Sequence, residues 1–143
     1  MPRWVCPYCE REFARAHQSH VCAPGGSVDD TFAGHPPGHR AVYAAIQAHL
    51  LSLGPVHEDA VAVGVFLKRD RKLAEVRPRS RDVSLALFLP RVIDDPRLRQ
   101  MPWPAGGRVA YILLLRTAEE VDDQVRGWLT EAYLHASDHP ERG

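Results

Sequence analysis

"LAEVRPRSRDVSLALFLP", residues 73–90, decides how this chain folds. In its second half Val83, Leu85, Leu87 and Leu89 fall on one side and Ser84, Ala86 and Phe88 on the other. That period of two is the mark of a β-strand. The first half, residues 73–77, is a shorter and half-charged strand. Upstream, "AVAVGVFLK" (60–68) alternates Val61, Val63, Val65 and Leu67, and Asp70-Arg71 fits a hairpin turn into 73–77. Downstream, residues 91–107 form a long loop broken by Asp-Pro, Met-Pro and Trp-Pro steps. "RVAYILLLR" (108–116) then supplies a strongly apolar fourth strand.

Two helices flank these strands. Residues 38–53 place Val42, Tyr43, Ile46, Leu50 and Leu53 on one stripe, and Gly54-Pro55 ends the run. The last helix has its start signal at Thr117, with Glu120 three residues on as a capping box. Its buried stripe is Val121, Val125, Trp128, Leu129, Ala132 and Ala136. The order α-β-β-β-β-α predicts an α+β fold with an antiparallel four-stranded sheet behind a small N-terminal zinc knuckle. The expected divisions are a zinc-finger-like knuckle over 1–23, a linker over 24–37, the α+β domain over 38–137 and a flexible tail over 138–143.

The other side of the sheet poses a packing problem. Ala62, Gly64, Phe66, Ser84, Ala86, Phe88, Ala110, Ile112 and Leu114 are too apolar for a free face. Three covers are open: the N-terminal finger with its linker, a second subunit, or helices divided between the two faces.

At 143 residues the chain has room for one domain with a sizeable core. No apolar run approaches the roughly 20 residues of a membrane span. The start, Met-Pro-Arg-Trp-Val-Cys, lacks the apolar region of a secretory signal. The expectation is a cytoplasmic protein with no membrane partner. Formal net charge is zero, from 18 basic and 18 acidic residues. A nucleic-acid binder usually carries a basic balance. The charge is nevertheless uneven: residues 68–81 hold Lys68, Arg69, Arg71, Lys72, Arg77, Arg79 and Arg81 against Asp70 and Glu75, while 118–123 hold four acids and no base.

All three cysteines lie in "CPYCEREFARAHQSHVC" (6–22). Cys6 and Cys9 form a C-x2-C knuckle, the spacing at which two thiolates in a tight turn grip one zinc ion. Cys22 is a third ligand, and His20 or His17 the fourth. His17 lies five residues before Cys22, near the spacing of a helical ligand pair. His20, two before it, needs an extended or turning backbone. Three cysteines leave one over in any disulfide scheme. A redox pair would need a strand before it and a helix after it. The reading is Zn2+ bound by Cys6, Cys9, His20 and Cys22, with His17 as the alternative to His20. Four protein ligands make a closed, structural site without a position for catalytic water.

With these pieces in place the chain resembles bacterial domain-of-unknown-function family 5655, in the form with an N-terminal zinc-finger-like stub. The resemblance is carried by "WVCPYC" (4–9), Phe13, "QSHVC" (18–22), "TFAG" (31–34), residues 73–90 and "RGWLTEAYLHA" (126–136). It implies that Gln18 to Cys22 form the second half of the metal site, which favours His20. It also marks Arg77-Pro78-Arg79 as a family feature. It implies no activity, since the family is uncharacterised.

No phosphate-binding glycine loop, nucleophile elbow or H-E-x-x-H is present. His57-Glu58-Asp59 reads as a solvated turn, and no small-molecule cofactor is indicated. The leading expectation is a non-enzymatic, zinc-stabilised binding domain. Its basic hairpin, through Lys68, Arg71, Lys72, Arg77 and Arg79, would meet an anionic group or nucleic acid. The alternative is a protein-interaction or homodimerisation module with a purely structural zinc. The third is an enzyme whose active site has no recognised pattern.

Overall fold

The computed structural model describes residues 4–5, 12–13, 27–61, 63–103 and 106–136. Near the N-terminus β1 (Trp4–Val5) pairs antiparallel with β2 (Glu12–Phe13), Trp4 opposite Phe13. Cys6, Cys9, His17, His20 and Cys22 lie outside the described residues, as does Ala62. The main body runs α1 (Val28–Phe32), α2 (Pro37–Leu53), β3 (His57–Val61), β4 (Gly64–Lys68), β5 (Lys72–Pro78), β6 (Val83–Leu89), β7 (Arg99–Met101), β8 (Val109–Leu115) and α3 (Asp123–Leu134).

The expected α+β class with an antiparallel sheet holds, but the sheet of the main body has six strands rather than four, in the order β3-β4-β5-β6-β8-β7. Residues 60–68 do not form one strand. The chain reverses between Val61 and Gly64, which pair with each other, so β3 and β4 are a hairpin. Val63 sits in that turn and is 60% exposed, off the face that strict alternation gave it. His57, Glu58 and Asp59 are not a solvated turn; they belong to the edge strand β3. Charges on an edge discourage pairing with another chain. The opposite edge, β7, comes out of the long loop and is short and polar.

A register shift between Leu67 and Lys68 explains how the basic hairpin is faced. Leu67 pairs with Ala74 and Lys68 with Lys72, so Leu73 is an extra residue in β5. At such a bulge two residues oppose one. Leu73 and Ala74 both enter the core. Lys72, Glu75 and Arg77 are then left together on the other face.

Both long helices cover the same face of the sheet. Val42, Tyr43, Ile46 and Leu50 of α2 and Val125, Trp128, Leu129 and Ala132 of α3 pack with Val65, Leu67, Val76, Leu85 and Leu87 in one core. Each such large apolar side chain contributes about 1.5–3 kcal/mol on burial. His49 Nε2 meets Thr130 Oγ1 at 2.7 Å and ties the two helices. Leu53, counted on the buried stripe of α2, is instead exposed. The possibility of one helix on each face is thereby closed.

Residues 24–37, expected as a linker, contain α1, capped by Ser27 and Asp30. Its Phe32 is a core residue whose ring lies 5.6 Å from that of Tyr43. Thr31 Oγ1 donates to the Val61 carbonyl at 2.6 Å, which holds the β3–β4 turn. The Thr117–Glu120 capping box forms, but around a 3-10 turn (Ala118–Glu120). The helix proper starts six residues later, with Asp122 accepting from the Val125 N–H at 3.0 Å. No described helix is long and apolar enough to cross a membrane.

Candidate functional site

The face of the sheet away from α2 and α3 holds a cleft. Small residues at its centre, Ser84 and Ala86 of β6, leave the space that longer side chains surround. The result is a cleft of about 870 Å³, within the 300–1,000 Å³ usual for ligand sites. Glu75, Ile112 and Phe88 line it with Ser84 and Ala86, and Trp103 stands at its side. Phe88 and Trp103 meet with ring centroids 6.5 Å apart at 39°. The indole of Trp103 remains 36% exposed.

Around this apolar centre the cleft carries Arg71, Lys72, Arg77, Arg79 and Arg108. Among its described lining residues Glu75 is the single carboxylate. Glu75 is 7% exposed. Its Oε1 lies 3.3 Å from Lys72 Nζ and 3.5 Å from Arg77 NH2. Lys72 Nζ also stands 5.1 Å from the Phe66 ring centre and 5.3 Å from that of Phe88, in cation–π range. The Arg108 guanidinium also lies 5.0 Å from the Phe88 ring centre, and Arg108 donates to the Lys72 carbonyl at 2.7 Å. Burial, and then the nearby charge of Arg71, push the Arg108 guanidinium down to about 10. Both causes disfavour the cation, and an anion in the cleft would oppose them.

Arg79 is mounted at the rim by a braced turn. Its Nε lies 3.0 Å from Asp82 Oδ1, and its N–H donates to the Asp82 carbonyl at 2.8 Å. The buried His39 of α2 meets the Arg79 carbonyl through Nε2 at 2.9 Å. Asp82 Oδ1 is buried and, for all its closeness to Arg79, lacks a well-aligned hydrogen bond. The distance makes an ion pair; the angle does not make a good hydrogen bond.

The structure sorts the basic run of 68–81 by task. Lys72, Arg77, Arg79 and Arg71 line the cleft. Lys68 instead faces Asp59 at 3.5 Å and is not among the lining residues. Arg69 donates to the Tyr133 carbonyl at 3.2 Å, and Arg71 to that of His135 at 2.9 Å. The N–H groups of Asp70 and Arg71 both donate to the Ala136 carbonyl. These contacts satisfy carbonyls at and just past the C-terminus of α3, where cations are favoured by the helix dipole. The acidic residues 118–123 lie at the other end of that helix, where Asp122 pairs with Arg97 at 3.1 Å and Asp123 with Arg126. They therefore do not neutralise the cleft.

Arg108 and Trp103 do not stand out as site residues in the sequence. Arg108 reads there as the polar end of an apolar strand, and Trp103 as one aromatic in a proline-broken loop. Glu75 reads only as a charge. Their shared signal is weak: polar residues alternating into a sheet face that is otherwise apolar. Among the described residues no three His, Cys, Asp or Glu side chains are placed to hold a metal ion. The Cys/His stretch is outside that description.

The sequence model of a family described as a domain of unknown function (DUF5655) matches residues 28–136. The match takes in every strand and helix of the main body and begins after the Cys/His stretch. No curated protein and no solved structure matches the chain.

Proposed function

The chain belongs to the DUF5655 family, which assigns it no activity, and on the chemistry of its cleft we propose that it is a non-enzymatic binding domain for nucleic acid. The observation that carries the proposal is the convergence of Arg71, Lys72, Arg77, Arg79 and Arg108 on one cleft. Guanidinium groups match phosphate oxygens in pairs, and phosphate contacts dominate affinity for nucleic acid. The zero net charge of the whole chain does not oppose this, because among the described lining residues five cations face the single carboxylate of Glu75. In the same proposal a zinc ion on Cys6, Cys9, His20 and Cys22 staples the N-terminal segment. The β1–β2 pairing supports it, since it draws together the two ends of the stretch that contains Cys6 and Cys9.

Binding of mixed DNA and RNA strands, followed as salt is raised, tests the reading. Log affinity should fall linearly with log salt, by roughly 0.7–0.9 per phosphate contacted. No binding to either polymer at low salt would refute it. A second reading is self-association or docking of another protein. It is favoured by Leu114, which is 48% exposed, and by exposed Val63 at the end of the cleft. Concentration-dependent sedimentation distinguishes it, because a nucleic-acid site alone leaves the free protein monomeric.

A further inference from the structure

We infer that the cleft reads a base as well as holding phosphates, with Trp103 as the stacking surface and Glu75 as the acceptor that selects guanine in a single strand. This rests on the nucleic-acid reading above and adds to it. A cleft built only for phosphate has no use for a carboxylate at its centre, since that charge repels the ligand. Glu75 is nevertheless nine-tenths buried there, and burying a carboxylate is costly. Lys72 and Arg77 offset its charge, but both approach the same oxygen, at 3.3 and 3.5 Å. These are long contacts for charge-assisted hydrogen bonds. The carboxylate, with about four lone-pair sites, keeps capacity for shorter and better aligned donors.

The aromatic neighbours point to a flat ligand. Glu75 pairs across the sheet with Ala86. Phe88 lies two residues beyond Ala86 on β6, roughly 7 Å further along that strand, so the carboxylate and the ring stand a diagonal step apart on one face. Trp103 lies against Phe88 with its indole partly open, and bases stack on such rings whatever their sequence. A base on Trp103 would turn one edge to Glu75. An ionised carboxylate only accepts hydrogen bonds. The Watson–Crick edge of guanine offers two adjacent donors, N1–H and the N2 amine. Adenine and cytosine offer an amine beside an acceptor nitrogen, and thymine or uracil one N–H between two carbonyls. Guanine is thus the base whose edge meets a carboxylate with no acceptor against it. That edge is free only in unpaired strands.

The test is fluorescence anisotropy on labelled short thymidine strands carrying one central guanine, inosine, adenine or cytosine. Guanine should bind roughly tenfold tighter than adenine or cytosine, the usual discrimination of a two-bond contact. Inosine, which lacks the N2 amine, should fall between. Glu75→Gln should level the four strands and leave the salt slope in place, while Trp103→Ala should weaken all four alike. Equal binding of the four strands by the unsubstituted protein overturns base reading and leaves the phosphate site standing. Binding of none of them at low salt overturns both. The comparison among strands needs no substitution, so it stands even if Glu75→Gln fails to fold.

Discussion

The side chain of Arg77 lies across the bare backbone of Gly64. A Cβ at Gly64 would meet Arg77 Cγ at 2.8 Å and the Val76 carbonyl at 2.8 Å. Gly64 opens β4 directly after the turn from β3 and pairs with Val61. The glycine is needed for space, so that the arginine stem can lie over β4 while its guanidinium stays 3.5 Å from Glu75, two residues back on β5.

Gly64→Ala should therefore act on stability and on binding together. Overpacking of this kind costs about 1–3 kcal/mol, measurable by urea denaturation. The methyl group must also push Arg77 or β5 aside, so affinity for nucleic acid should fall. An alanine variant with unchanged stability and unchanged affinity would show that Arg77 is free to move.

Arg77→Ala with Arg79→Ala should flatten the salt dependence of binding by roughly 0.7–0.9 for each phosphate that is no longer neutralised. Lys68→Ala should leave the slope as it was, because Lys68 faces Asp59 and lies off the cleft. Equal flattening by Lys68→Ala would mean that the whole hairpin, and not the cleft, meets the strand.

Tyr43 is fully buried and donates its hydroxyl to Glu58, which also accepts from Gln47 at 2.8 Å. Tyr43→Phe leaves Glu58 short of a donor and should cost about 1–3 kcal/mol. Burial first, and then Glu58, push the phenol well above its ordinary range. The fold thus keeps the phenol protonated, while the unfolded chain ionises near pH 10. This contribution is complete below about pH 10 and is lost as pH rises above it. Denaturation midpoints from pH 8 upward should fall less steeply above about pH 10 in Tyr43→Phe than in the unsubstituted protein. Parallel curves would contradict the assignment.

Purified protein should contain about one equivalent of zinc, as a closed four-ligand site requires. His20→Ala should release it more readily than His17→Ala. Metal loss from His17→Ala alone would move the fourth ligand to His17.

Much of the architecture was legible because it rests on local pattern. Alternation over 83–89 and a strongly apolar run over 108–116 mark strands β6 and β8, which pair along their whole length. Of the expected stripe, Val125, Trp128, Leu129 and Ala132 are buried because a period near 3.6 puts them on one side of α3, and Val121 and Ala136, just outside the helix, are buried as well. The α3 start was displaced because Thr117 and Asp122 both make good caps, and only packing decides which turn continues.

The remainder depended on contacts between distant parts of the chain. "AVAVGVFLK" reads as one strand, since its single turn signal, Gly64, stands alone in a run of β-formers. The reversal between Val61 and Gly64 exists because β4 pairs with β5 on one side and the charged β3 closes the edge on the other. The bulge at Leu73 turns Lys72, Glu75 and Arg77 to a common face, and no period within β5 announces an extra residue. The site was half visible for the same reason. Charge type and order along 68–81 were set by sequence, so Arg77 and Arg79 could be named. Which cations share a cleft, which cap α3, and which meet Glu75, Trp103 and Arg108 were decided by the pairing of β5, β6 and β8 and by both helices lying on one face. Side-chain chemistry is local to a residue, whereas a cleft is made by strands brought together from far apart in the chain.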